Sequence, residues 1–234
     1  MNPKRRIYAI GNNVYVNDPV GLKLSQSILN QSGKTKPRVC LIPTASGDAE
    51  SQIHQFESTM GKLSCEFSVL SLFRGEKADL ASIVLNQDVI YVSGGNTRNM
   101  LTLWREWGLD QLVREAYQKG TIFAGGSAGS LCWFEDGVTD SVPEKLTAMK
   151  CMGILKGSNC PHYDGEANRR PSYHELVQNG ELQAGLACED GVALYFENEE
   201  FQGALTPYAG KHAYRVFLKD DKVVELPIPA RLID

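Results

Sequence analysis

Over the first 130 residues, short apolar runs alternate with longer stretches whose apolar positions recur every three or four residues. The apolar, β-branched runs are Arg6–Ile10, Arg38–Ile42, Phe67–Leu72, Asp88–Val92 and Thr121–Ala124. Runs this short, bounded by turn residues, predict strands covered on both faces. Between them the spacing predicts helices at Pro19–Asn30, Ala49–Leu63, Ala78–Leu85, Arg98–Trp104 and Leu109–Lys119. The last of these sets Leu109, Leu112, Val113 and Ala116 on one helical face. Strands in regular alternation with helices predict βαβ units and a mostly parallel α/β sheet.

Beyond about Asp136 turn residues become frequent. One amphipathic stretch, Tyr173–Gln178, follows Pro171, and short strand-like runs come at Val192–Phe196, Gln202–Leu205, Tyr214–Leu218 and Val223–Leu226. These read as antiparallel hairpins closing one edge of the sheet, with Asp220-Asp221 as a turn. No linker, repeat or low-complexity run interrupts the chain. A single domain over residues 1–234 is the expectation.

Composition narrows the class. The 234 residues are 42% hydrophobic and 22% charged, enough to build a core without metal or disulfide staples. Lys and Arg number 24 against 28 Asp and Glu, a net charge of −4. Nucleic-acid grooves and anionic membrane surfaces want a basic excess, so neither is an expected partner. The cysteines Cys40, Cys65, Cys132, Cys151, Cys160 and Cys188 are widely spaced and form no C-x-x-C, as expected of reduced, buried thiols. The basic start of the chain carries an apolar run only from Ile7 to Ile10. That is shorter than the roughly 7–15 residues of a signal peptide or the roughly 20 of a membrane helix. A cytoplasmic location is expected.

The sharpest chemical signal is Gly125-Gly126-Ser127-Ala128-Gly129, a G-x-S-x-G pattern after the apolar run Thr121–Ala124 and before Leu131–Phe134. Strand, sharp turn and helix form the setting of a nucleophile elbow. A phosphate-binding turn is the plainer alternative. A serine nucleophile needs a base. Among four histidines, His54 and His174 sit in polar, helix-like surroundings, and His212 lies at the start of a late strand. His162 follows Cys160-Pro161 in a loop at a strand end, where catalytic groups of α/β sheets collect. A carboxylate would orient the imidazole, and Asp140, Asp164, Glu189 and Asp190 are all in loop-like positions. The turn Ser93-Gly94-Gly95-Asn96 also ends a strand. Beside the elbow, its Gly95 N–H could join that of Ala128 in facing one oxyanion. No zinc, calcium, Walker A or G-x-G-x-x-G pattern occurs, and no metal or other cofactor is expected.

The motifs Tyr91-Val92-Ser93-Gly94-Gly95-Asn96-Thr97, Gly125–Gly129 and Pro161-His162, in that order, resemble the S51 serine peptidases, the group that includes peptidase E and cyanophycinase. The resemblance runs from the first strand to about Phe196. It implies a three-layer α/β sandwich, flavodoxin-like and similar to class I glutamine amidotransferases, with a metal-independent peptidase activity. Carried over position by position, Ser127 is the nucleophile, His162 the base, and Gly95 and Ala128 the oxyanion hole. The acidic member falls at Asp190 or Glu189, ahead of Asp140. Asn96 and the pair Arg169-Arg170 would contact substrate, although the arginines are shifted from the family position that suits an N-terminal aspartate. The expected activity is a serine exopeptidase acting on short peptides, with dipeptides bearing an N-terminal acidic residue as candidates and a monomer or homodimer as the assembly. Two alternatives stand beside it: an α/β-hydrolase-type esterase with His212 as base, and a non-catalytic binder of small anions.

Overall fold

The computed structural model describes residues 3–12, 20–73, 79–142 and 145–233. The early apolar runs form β1 (Arg6–Ile10), β2 (Arg38–Ile42), β3 (Glu66–Val69), β4 (Val89–Val92) and β5 (Ile122–Gly126). The helices between them are α1 (Gly21–Asn30), α2 (Glu50–Met60), α3 (Leu80–Leu85), α4 (Thr97–Glu106) and α5 (Leu109–Gln118). Pro19 and Ala78, the expected first residues of two helices, lie outside the described residues.

These five strands are mutually parallel in the order β1-β5-β4-β2-β3. Side chains on a strand alternate between faces, and here both faces are apolar. Ile7, Ala9, Cys40, Ile42, Ile90 and Val92 enter one core. Tyr8, Ile10, Val39, Leu41, Val89 and Tyr91 enter the other. The chain moves outward from β1 through β2 to β3 with α1 and α2 on the second face, contributing Leu24, Ile28, Phe56 and Met60. It returns through β4 to β5 with α3, α4 and α5 on the first face, contributing Val84, Met100, Trp104 and Val113. Right-handed crossovers require this change of face when the direction of travel reverses. The result is a three-layer α/β sandwich of the flavodoxin-like kind.

The rest of the chain departs from expectation in one large respect. The Leu131–Phe134 run does not continue a helix: α6 (Ala128–Leu131) is a single turn, and a strand begins at Phe134. Strands β6 (Phe134–Thr139), β7 (Thr147–Lys150), β8 (Leu155–Cys160) and β9 (Gly185–Cys188) start a second sheet, in the order β9-β8-β6-β7. Of the late hairpins only β10 (Ala193–Glu197) with β11 (Glu200–Thr206) extends the main sheet, β10 lying antiparallel to β1, while a short β14 (Arg231–Leu232) pairs with β11. β12 (His212–Lys219) and β13 (Lys222–Pro229) join the second sheet instead. Asp220 and Asp221 turn between them with φ of 50° and 56°, the positive pair a tight hairpin demands.

Helix α7 (Arg169–Gln178) covers the second sheet with Tyr173, Leu176 and Val177. It starts before Pro171 rather than after it, because proline is tolerated in a first helical turn. All six cysteines are free. Among the described residues no helix is long and apolar enough to cross a membrane.

Candidate active site

Glycine is needed at both ends of the Gly125–Gly129 turn for packing. A Cβ on Gly125 would sit 2.1 Å from the Gly129 carbonyl oxygen, and one on Gly129 would sit 2.3 Å from the Val92 carbonyl oxygen of β4. The turn therefore closes on itself and against the neighbouring strand. Ser127 at its apex has φ 55° and ψ −113°, a backbone conformation that L residues rarely adopt and that persists only where surroundings enforce it. Its N–H donates to the Ile10 carbonyl at 3.2 Å, and its carbonyl accepts from Ser130 and Leu131. Because α6 is one turn long, it offers free N–H groups rather than a full-length dipole.

The second glycine turn abuts the first. A Cβ on Gly94 would meet Ser127 Cβ at 3.2 Å and Ser127 Oγ at 3.8 Å. Gly95 has φ 134°, and a Cβ there would overlap the Ala45 carbonyl oxygen at 2.1 Å. Within the described residues, no protein acceptor takes the N–H of Gly95 or of Ala128. Asn96 caps α4: its Oδ1 accepts from the Asn99 N–H at 2.9 Å, and its Nδ2 donates to the Ser141 carbonyl at 3.3 Å. Its side chain is thus spent on the local fold.

His162 is half-buried just beyond β8, with φ 57°. Its N–H donates to the Gly11 carbonyl at 3.0 Å. Ser127 and His162 are therefore held by the carbonyls of consecutive residues, Ile10 and Gly11, at the end of β1. A second tie is buried: Ser130 Oγ of α6 donates to Asn159 Oδ1 of β8 at 3.0 Å. Among the described residues the Ser127 hydroxyl has no hydrogen-bond partner, His162 included. Such bonds commonly tighten only with substrate in place.

The four candidate carboxylates separate cleanly. Asp190 Oδ1 lies 3.0 Å from His162 Nδ1. Glu189 does not face the imidazole: its oxygens accept from the His212 N–H at 3.0 Å and the Tyr214 hydroxyl at 2.7 Å. That contact and burial push the Tyr214 hydroxyl up to about 12, burial contributing most. Asp140 is exposed and pairs with Arg169 at 3.2 Å. Asp164 accepts the Asp190 N–H at 2.7 Å and pairs with Lys211 Nζ at 2.5 Å. Burial alone would raise the Asp164 carboxyl, but Lys211 and the Asp190 N–H outweigh it and hold it below the ordinary range.

Both arginines already have acidic partners. Arg169 is only 2% exposed and donates to Glu166 at 2.5 Å and the Val138 carbonyl at 3.3 Å, besides pairing with Asp140. Arg170 pairs with Glu225 and lies over the rings of Tyr163 and Tyr214. His174 is a structural partner, 2.8 Å from the Tyr163 hydroxyl and 3.0 Å from Glu225. His212 contributes its backbone N–H to Glu189, while His54 is exposed. Among the described residues no three His, Cys, Asp or Glu side chains are grouped to hold a metal ion.

Three supports escaped the sequence reading. Asn12 Oδ1 accepts the Gly191 N–H at 3.0 Å, fixing the far side of the acidic turn. Lys211 anchors Asp164. Gly165 leaves room for Asp190: a Cβ there would sit 2.2 Å from Asp190 Oδ2. Only Gly165 stood next to a recognised motif, and residue type alone gave no reason to single it out.

A strained serine elbow at a strand end of the doubly wound sheet and an Asp-backed histidine from the strand ends of the second sheet make a hydrolase-like arrangement on a flavodoxin-like scaffold. The chain belongs to peptidase family S51, whose family profile matches residues 7–204. It is 48% identical over 229 residues to the uncharacterized peptidase YgaJ of Bacillus subtilis (strain 168), covering 98% of this chain and 99% of that one. It is 26% identical over 217 residues to peptidase E of Pasteurella multocida (strain Pm70), covering 88% of this chain and 87% of that one. A solved peptidase from an acI-B1 Actinobacterium superposes with a TM-score of 0.72 at 17% identity, over 98% of this chain and 95% of that one, a likeness of fold.

Proposed function

We propose that this S51 peptidase is a serine exopeptidase for short peptides, dipeptides among them, with Ser127 as nucleophile, His162 as base and Asp190 as its orienting acid. The observation that carries the reading is the 3.0 Å contact between Asp190 and His162 Nδ1, beside the strained Ser127 turn. A carboxylate on Nδ1 fixes the tautomer that leaves Nε2 free to accept a proton and stabilises the imidazolium that results. Ser127 Oγ attacks the scissile carbonyl carbon as His162 takes its proton. The Gly95 and Ala128 N–H groups receive the negative charge on the carbonyl oxygen. Collapse breaks the C–N bond, and His162 returns the proton to the leaving amine. Water, deprotonated by the same imidazole, then releases the acyl group from Ser127.

The engagement of Arg169 and Arg170 by Glu166, Asp140 and Glu225 removes the support for an acidic N-terminal side chain as a requirement. Six free cysteines support work in a reducing compartment such as the cytoplasm. The test is a dipeptide library varied at the N-terminal residue, run with the wild type and Ser127→Ala. The expected result is hydrolysis by the wild type and a loss of kcat of about 10⁴-fold or more in the variant, its fold intact. Undiminished turnover by Ser127→Ala would overturn the proposal.

A further inference from the structure

Each residue of the Glu189-Asp190-Gly191 turn is held from a different direction. The Glu189 carboxylate is fixed by the His212 N–H and the Tyr214 hydroxyl of β12. The Gly191 N–H is fixed by Asn12 at 3.0 Å. The Asp190 N–H is fixed by Asp164 Oδ1 at 2.7 Å, and Asp164 is itself held through Oδ2 by Lys211. Asp164 stands only two residues beyond His162. One short loop thus carries the imidazole at its start and, two residues on, the acceptor for the backbone of the residue opposite that imidazole.

We propose that Asp164, steadied by Lys211, is a positioning residue for the reaction: it aims the Asp190 carboxylate at His162 Nδ1 by holding the Asp190 backbone. The inference rests on the Ser127–His162–Asp190 reading. The side-chain contacts of Asp164 run to the Asp190 N–H through Oδ1 and to Lys211 through Oδ2, so its carboxylate acts on the imidazole's partner rather than on the ring. Its ionised state suits the task, because a carboxylate held below its ordinary range by Lys211 accepts a strong, charge-assisted bond from the Asp190 N–H. A ring or carboxylate misplaced by about 1 Å is enough to cost on the order of 10²-fold in rate.

The test compares wild type, Asp164→Ala, Asp164→Asn and Lys211→Met by two readouts. The first is the low-field proton resonance of the His162 Nδ1–H, which reports the bond to Asp190 without any substrate. The second is kcat and KM on a cleaved dipeptide, per active site titrated with a serine-reactive phosphonate. Asparagine keeps an oxygen for the Asp190 N–H, so Asp164→Asn is expected to retain the resonance and kcat within about 3-fold. Asp164→Ala is expected to lose the resonance and about 10- to 100-fold in kcat, with KM little changed. Lys211→Met keeps the acceptor but frees it, and is expected to broaden the resonance and lower kcat less. Wild-type resonance and kcat in both Asp164→Ala and Lys211→Met would overturn the inference, as would equal loss in Asp164→Ala and Asp164→Asn. A wild type that cleaves no peptide would sink the proposed function, while the resonance would still decide the role of Asp164.

Discussion

The Asp190 carboxylate lies 3.0 Å from His162 Nδ1, while its neighbour Glu189 turns the other way to grip the Tyr214 hydroxyl at 2.7 Å. Adjacent acids in a turn thus hold opposite jobs. Asp190→Asn is expected to lower kcat by about 10³- to 10⁴-fold, because an amide on Nδ1 favours the wrong imidazole tautomer. Glu189→Ala is expected to keep kcat within about 10-fold and to lose about 1.5–3 kcal/mol of stability, the scale for hydrogen bonds to a charged group. Steady-state kinetics beside urea denaturation separates the two effects. The reverse pattern would exchange the roles.

Gly165 offers a subtler test. A methyl group there would overlap Asp190 Oδ2, whose carboxylate is the more movable partner. Gly165→Ala is expected to swing Asp190 away from His162 and lower kcat about 10- to 100-fold, with a urea midpoint close to wild type. An unchanged kcat would mean that the carboxylate has other room.

Gly95→Ala is predicted to be more damaging than its size suggests. The added Cβ would overlap the Ala45 carbonyl, and φ 134° is hostile to any L side chain. The turn must shift, carrying its free N–H from where an oxyanion would form, and a loss of about 10²- to 10³-fold in kcat is expected. Retained kcat in a folded Gly95→Ala protein would exclude this N–H from the oxyanion site.

Much of the fold could be read from residue types. Strands buried on both faces must be apolar throughout, so β1, β2 and β4 announce themselves. The second sheet does not, because β6 buries Asp136 and β8 buries Ser158 and Asn159 among glycines. Those side chains find distant partners: Lys150 for Asp136 Oδ2, Tyr173 for Ser158, and the Leu186 carbonyl for Asn159. Residue type alone therefore reads as loop. The site divides the same way. Ser127 is legible from glycine spacing, a local constraint. The choice of Asp190 over Glu189 is made by Asp164, Asn12 and β12, and the capture of Arg169 by Asp140 needs β6 and β8, which lead to these two residues, side by side.

Acid sensitivity is expected to run through Glu225. Burial alone would raise its carboxyl, but Tyr163, Arg170 and His174 outweigh it and hold it below the ordinary range. A depressed carboxyl contributes stability that is complete above the unfolded-state value and is lost as pH falls through the folded one. The urea midpoint of Glu225→Gln is therefore expected to lie below wild type at pH 7, with the gap closing as pH falls below about 4. A gap that persists at low pH would exclude this ionisation as its source.

Captured arginines make a prediction about substrate. With Arg169 and Arg170 paired internally, kcat/KM for Asp-X and Ala-X dipeptides is expected to agree within about 10-fold. A preference for Asp-X of about 10³-fold, the scale of a dedicated charge-assisted contact, would require one of these arginines to leave its partner.

Covalent labelling asks the central question most directly: which atom attacks. A peptidyl phosphonate incubated with the protein, followed by intact mass and peptide mapping, is expected to give one adduct at Ser127 and none in Ser127→Ala. An adduct at another residue, or none from an enzyme that still turns over peptide, would contradict a Ser127 nucleophile.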